Sequence, residues 1–330
     1  MNHDRYLQNQ KRRPVKKNRR GCSPRPWTFV VLILALGIGI YTIVSGMNQP
    51  EFAPGPILSS YEGISDTPEE DYDTSETETE EVYNEAPLPL PMVSISTRDI
   101  SNTGYLILVN HQYPATGNPD SSLLTAAWPT VAVSRVDDMY LHHSALRAVS
   151  EMFASARTQD VTGLFVSSAF RDFYRQAYIF GDGSNSAYVM PPGHSEHQTG
   201  LAADILIADI GMAEMAHSPQ GRWMADNSYR YGLILRYPQG MEHVTGINFE
   251  PWHFRYVGQI HAYYIMKRGF VLEEYIRYIH NQGHFSFEKN DETHHIIFQL
   301  PQNGMIYVPY GRDFTISADN KGGYIIWTTE

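Results

Sequence analysis

Four residues that lie far apart in the chain, His197, Asp204, Glu250 and His253, constrain the fold more than any other feature. They stand in Ser195-Glu196-His197-Gln198-Thr199-Gly200-Leu201-Ala202-Ala203-Asp204 and in Glu250-Pro251-Trp252-His253. Two imidazoles and a carboxylate make three metal ligands. Three protein ligands leave one coordination position free, as catalytic zinc is usually held. Glu250, three residues ahead of the second histidine, suits a general base. A fold that uses these groups must bring both stretches around one ion. A histidine and an aspartate at this spacing, or Glu-x-x-His, means little alone. Together, with small residues around them, they point to metal-assisted hydrolysis.

The local sequence says how they converge. His197 and Asp204 would sit about two turns apart on one helix, but Gly200 between them argues against a helix. A loop carrying His197 beside a strand that presents Asp204 fits better. Glu250 and His253 would point to opposite faces of a strand, so a bulge or bend near Pro251 is needed; proline sits at such irregularities because it donates no ladder hydrogen bond. Neutral imidazoles with a carboxylate suit one Zn2+ ion.

The rest of the chain divides by composition. Residues 1–26 carry nine Lys/Arg against Asp4 alone. Residues 27–47 carry no charged side chain, and as a helix they would span roughly 30 Å, a bilayer core. With the basic cluster before it, this run reads as a single-pass membrane anchor with a cytoplasmic N-terminus and the catalytic domain outside. The rival reading is a cleaved signal peptide; the long basic segment and the lack of a clear A-x-A site favour the anchor. Residues 48–92 are acidic and rich in Pro, Thr and Ser, a disordered, self-repelling stalk. No basic face suggests nucleic acid as a partner. The single cysteine, Cys22, excludes an internal disulfide and a cysteine-ligated zinc.

From about Met92 the pattern is that of a folded α+β domain, with a central antiparallel sheet flanked by helices. Strands are expected at 104–109, 164–168, 201–207, 232–237 and 249–256. Helices are expected at 137–157, 173–180, 221–231, 257–267 and 272–281. Residues 93–283 make the catalytic domain, and 284–330, with alternating apolar positions, a small β appendage. Glu196 is expected to face solvent or pair locally, and His142-His143 and His294-His295 to lie on a surface or helix face.

The motif Ser195-x-His197-x-x-Gly200-x-Ala202-x-Asp204 with Glu250-x-x-His253 resembles the zinc D-Ala-D-Ala carboxypeptidases of the VanY type, in the hedgehog-like metallopeptidase group. Ser167-Ser168-Ala169-Phe170-Arg171 with Gln176, Leu235-Arg236-Tyr237-Pro238, Phe254-Arg255-Tyr256-Val257-Gly258 and Leu272-Glu273-Glu274-Tyr275 extend the likeness. The resemblance implies zinc on His197, Asp204 and His253, Glu250 as base, and Arg171 stabilising the oxyanion. It implies that Gln176, Ser195 and Tyr237 hold the substrate's terminal D-alanine, mainly its carboxylate, and that Trp252 walls the pocket. A structural ion pair of Arg171 with Asp172 is the competing reading of that arginine. The implied substrate is a peptidoglycan stem peptide. An L,D-carboxypeptidase, an endopeptidase and a non-catalytic wall-binding or sensing module remain open alternatives.

Overall fold

The structure, a computed structural model, describes residues 90–100, 104–135 and 138–330. Along the chain run β1 (Met92–Ser96), β2 (Leu124–Ala126), β3 (Tyr140–His142), α1 (His143–Thr158), β4 (Leu164–Ser168), α2 (Phe173–Phe180) and β5 (Ala202–Ile207). There follow α3 (Met212–Met215), α4 (Pro219–Asn227), β6 (Leu233–Leu235), α5 (Glu242–Thr245), β7 (His253–Tyr256), α6 (Gln259–Arg268) and α7 (Leu272–Gln282). The chain closes with β8 (His284–Lys289), β9 (Glu292–Gln299), β10 (Met305–Pro309), β11 (Phe314–Ala318) and β12 (Tyr324–Thr329). Helices and antiparallel sheets are thus mixed, as expected.

The sheet that matters for function has the order β4-β5-β7-β6, all neighbours antiparallel. Its two faces are chemically different because side chains alternate along a strand. Ala203, Ile205 and Ile207 of β5 and Phe254 and Tyr256 of β7 pack with Ala145, Val149, Met152 and Phe153 of α1. The intervening residues Asp204, His253 and Arg255 fall on the other face. The apolar residues of α1 recur at three- and four-residue steps, which lays one stripe of the helix on the sheet.

Residues 104–109 do not form the expected strand. They run extended between two cores: Ile107 and Val109 enter the α1 core, while Leu106 and Leu108 enter one built by α6 and α7. No neighbouring strand is needed, because other groups satisfy the backbone. Leu106 N donates to Ser317 Oγ at 2.9 Å, Leu108 N donates to Asp319 O at 3.2 Å, and Arg255 donates to the carbonyls of Tyr105 and Ile107.

Residues 284–330 form the sheet β11-β12-β9-β8, with β10 pairing with β1. Phe285, Ile296 and Ile325 share one core with Tyr264, Tyr275 and Ile276 of the two preceding helices. His294 and His295 are buried, contrary to expectation. They lie on β9, which is flanked by β12 and β8; His294 meets the rings of Phe287 and Trp327, and His295 stacks on His284.

The membrane anchor expected from the sequence is corrected. Among the described residues no helix is long and apolar enough to cross a membrane. The longest of them, α1, has 16 residues, about 24 Å at a helical rise, and carries Arg147, Glu151 and Arg157. The expectation of a single-pass protein with its catalytic part outside the membrane does not stand on this structure. Trp27–Met47 itself, and the acidic stretch through residue 89, lie outside the described residues.

Ile296 is fully buried where the last sheet meets α6 and α7. Ile296→Ala should cost about 2–5 kcal/mol, read as a lower denaturant midpoint. A loss below about 1 kcal/mol would show that this core does not hold the sheet.

Candidate metal centre

Strand register builds the centre. Asp204 on β5 stands directly opposite His253 on β7, so the two side chains emerge side by side on one face. Asp204 Oδ1 lies 3.1 Å from His253 Nδ1. His197 comes from a short 3-10 turn, Glu196–Thr199, that ends at Gly200 in the left-handed region. The conformation favours glycine, and a Cβ there would also press on Leu124 Cδ2 at 2.7 Å and His142 N at 3.2 Å. His197 Nδ1 donates to Ala169 O at 2.7 Å. That fixes the tautomer and turns Nε2 towards Asp204 Oδ1, 3.3 Å away.

The donor set fits a small divalent ion. The three side chains each offer a ligand atom, all within 4.8 Å of one another. A tetrahedron with zinc–ligand bonds near 2.0–2.1 Å has edges of about 3.3 Å, close to the two separations above. His197 Nε2 and Asp204 Oδ1 are moreover buried with no hydrogen-bond partner. Orphaned polar atoms of this kind need an explanation, and a shared ion supplies one.

The expected bend before β7 is present. Pro251 and Trp252 form a turn, and β7 begins only at His253. Glu250 N donates to Tyr237 O, and His253 N donates to Glu250 O. This brings Glu250 Oε2 to 3.6 Å from His253 Nδ1, so the glutamate and all three ligand atoms converge on one spot.

Burial and neighbouring charge set the protonation of these groups. Burial, with help from Arg171, lowers His197 to about 4, so it is neutral at pH 7. Burial would raise Asp204, but His197 and His253 hold it well below the usual carboxylate range. Burial would lower His253, but Asp204, Glu196 and Glu250 outweigh it and push it up to about 9. Burial pushes Glu250 up to about 8, Asp204 adding to the rise while His253 and Arg171 oppose it.

Arg171 follows β4 and donates its backbone N–H to His197 O. The competing ion pair with Asp172 is not formed: Asp172 instead caps α2 by accepting from Arg175 N at 2.7 Å. Arg171 Nε is buried without a hydrogen-bond partner. Burial lowers its pKa, while the charges of Asp204 and Glu250 act on it through space. Tyr237 is buried with Met190 and Ile247, its ring 4.9 Å from that of His253. Gln176 is fully buried; its Nε2 donates to Met190 O at 2.6 Å, and its Oε1 has no partner. An orphaned acceptor suits an N–H of a ligand better than a carboxylate. Ser195 is buried at the start of the 3-10 turn without capping it. Trp252 is half-buried, and its ring stands 6.5 Å from that of Tyr188.

One prominent residue was not expected. Glu196 is 1 % exposed, not solvated, and sits among Arg236, Arg255 and His253. Its alternation with His197 gives no hint of this, because a 3-10 turn has no simple inside and outside. A cavity of about 1100 Å³ lies elsewhere, lined by Tyr105, Arg147, Lys289 and Trp327 among others, but by none of His197, Asp204, His253, Glu250, Arg171 and Glu196. The chemistry is located by converging titratable groups and not by volume.

Comparison with known proteins agrees with this geometry. The family model of VanY, D-alanyl-D-alanine carboxypeptidase, matches residues 138–259, which include both ligand stretches. A D-alanyl-D-alanine carboxypeptidase of Enterococcus faecium is 32% identical over 235 residues, 68% of this chain and 74% of the relative. One of Enterococcus faecalis is 30% identical, covering 76% of this chain and 87% of the relative. This chain belongs to the VanY family. Among solved structures, the vancomycin-resistance D,D-dipeptidase VanXYg, in complex with a D-Ala-D-Ala phosphinate analogue, superposes with a TM-score of 0.62. It is 25% identical, over 73% of this chain and 99% of that one. The VanY match thus runs from just ahead of β3 to the first residue of α6, the span that carries His197, Asp204, His253, Glu250, Arg171, Gln176, Ser195, Tyr237 and Trp252.

Ion and proton compete for His253, which is protonated up to about 9 when no ion is bound. Uptake must release that proton, and any that Glu250 gives up beside the ion, so apparent zinc affinity should rise at least about tenfold per pH unit from pH 6 to 8.5. A competition titration against a chromophoric chelator measures this. A flat profile would contradict the ligand assignment of His253.

Proposed function

We propose that this chain is a zinc-dependent D-alanyl-D-alanine carboxypeptidase that removes the C-terminal D-alanine of peptidoglycan stem peptides. One observation carries the reading: Glu250 Oε2 lies 3.6 Å from His253 Nδ1, beside an unpaired Arg171 and three convergent ligand atoms. His197 Nε2, Asp204 Oδ1 and His253 Nδ1 would hold the ion. A bound zinc supplies Lewis acidity, making water a nucleophile near neutral pH and polarising a carbonyl.

The remaining work falls to the protein. Glu250 accepts the water's proton at its carboxylate and delivers it to the departing amine. In the buried site it is a stronger base than an exposed glutamate, and the positive charge of an ion on the triad would favour its ionised, accepting form. Arg171 is a fixed cation whose Nε has no internal partner. It can meet the negative charge that develops on the attacked carbonyl oxygen, in a site dry enough for that charge to matter. The buried phenol of Tyr237, held neutral by burial and by Glu196, can donate a hydrogen bond to the terminal residue. Ser195 offers a second hydroxyl. Gln176 Oε1 offers an acceptor for a peptide N–H, which refines its role from carboxylate clamp to orienting the backbone. Trp252 and Tyr188 wall the entrance.

Glu250→Ala should retain one zinc per chain and lose at least about a thousandfold in kcat, as expected for a proton-transfer group. Turnover near wild type would remove Glu250 from the mechanism. Arg171→Met should lower kcat by about a hundred- to a thousandfold with zinc content unchanged. Mass analysis of products from pentapeptide and tetrapeptide stems tests the substrate: loss of D-alanine from the pentapeptide supports the proposal. Cleavage of the tetrapeptide alone assigns an L,D-carboxypeptidase instead.

A further inference from the structure

Behind the ligand triad lies a closed group of four charges, Glu196, Arg236, Arg255 and Glu273. Glu196 Oε1 accepts from Arg236 Nε at 2.8 Å and from Arg255 Nη1 at 2.8 Å. Arg236 then donates to both oxygens of Glu273 on α7, Nη1 at 2.8 Å and Nη2 at 2.6 Å. Arg255 spends Nη2 on the carbonyls of Tyr105 and Ile107 and Nε on Tyr256 O. Both arginines and Glu196 are essentially without solvent contact. Two positive and two negative charges balance.

One atom of this group is left over. Glu196 Oε2 is buried and has no hydrogen-bond partner. It faces His253 Nε2, 3.5 Å away, and that nitrogen is likewise buried without a partner. Two orphans facing each other are a donor and an acceptor slightly too far apart. A shift of a few tenths of an ångström closes the bond. The opposite nitrogen of the same ring, Nδ1, is the one beside Asp204 and Glu250.

We infer that Glu196 is a positioning residue of the centre: held by Arg236 and Arg255, it keeps the proton of His253 on Nε2, so that Nδ1 presents its lone pair to the ion. This rests on the metal reading above. It makes the two ligand histidines a complementary pair. His197 is locked with Nδ1–H on a main-chain carbonyl and offers Nε2; His253 is locked with Nε2–H on a carboxylate and offers Nδ1. Partners of ligand imidazoles set ring orientation and basicity in this way. The arginines have their own part. With Oε1 bonded twice, the carboxylate cannot rotate, and Oε2 stays aimed at the ring.

Glu196→Gln tests the inference. The amide oxygen can still accept from the two arginines, which turns the NH2 group towards His253 Nε2. A donor there opposes Nε2–H and favours the tautomer that cannot bind through Nδ1. Zinc affinity, measured by chelator competition, should fall about 10- to 100-fold. Glu273→Gln, which meets the outer side of Arg236 and accepts from Asn110 Nδ2 at 3.1 Å but does not touch His253, should change it less than about threefold. A folded Glu196→Gln protein that binds zinc within twofold of wild type overturns the inference and leaves the metal reading standing. Wild-type protein that takes up no zinc overturns both. If Glu196→Gln does not fold, 15N spectra of histidine-labelled, zinc-loaded wild type decide. Metal on Nδ1 of His253 with a slowly exchanging Nε2–H supports the inference, and metal on Nε2 or a freely exchanging Nε2–H overturns it.

Discussion

The pairing of β5 with β7 in one register is the constraint on which the site depends. With Asp204 opposite His253, the ligand atoms sit 3.1 Å apart without any long side chain having to reach. A slip of one residue would turn Asp204 into the α1 core and present Ala203 or Ile205 in its place, because successive side chains alternate. The register is held from the other side of the sheet. Ile205, Ile207, Phe254 and Tyr256 share one apolar core with α1, so the hydrophobic core fixes the polar face. The next pair, Ala202 opposite Arg255, follows the same logic: a methyl group leaves room for a guanidinium.

The polar face would be a poor place for isolated charge. Burying an ion costs several kcal/mol even after relaxation, and Arg236 and Arg255 are wholly inside. The cost is met by complete pairing: carboxylates and carbonyls cover almost every guanidinium nitrogen. Arg171 breaks this rule. It is the arginine of this face whose Nε lacks an internal partner, and an unpaired cation near Glu250, the proposed base, is what such a site would need for charge that exists only during reaction. Contrast between satisfied and unsatisfied arginines separates scaffold from chemistry more sharply than burial does.

Much of this was legible in the sequence, and for physical reasons. Gly200 and Pro251 announce a turn and a bend because few backbone conformations suit them, and both irregularities stand where the ligands require. The apolar steps of α1 and the limits of β4 and α2 follow from periodicity. The failures have a common cause. Residues 104–109 look like a strand because alternation of Leu106, Ile107, Leu108 and Val109 serves two cores, not two faces of a sheet. Glu196 and the His294-His295 pair look solvated because polarity is a local property, whereas their partners Arg236, Arg255 and Trp327 come from segments tens of residues away. Membership of residues 284–330 in a core with Tyr264 and Ile276 is hidden for the same reason.

The extended segment at 104–109 has a further consequence, for the order in which the molecule can be completed. Its backbone is bonded to Ser317, Asp319 and Asn320, more than 200 residues later in the chain. The carbonyls of Tyr105 and Ile107 in turn hold Arg255, which holds Glu196. Contacts of such sequence separation form late, since the intervening chain must first be closed. The backing of the candidate metal centre is therefore complete only when residues 317–320 have joined this segment, however early the central sheet pairs.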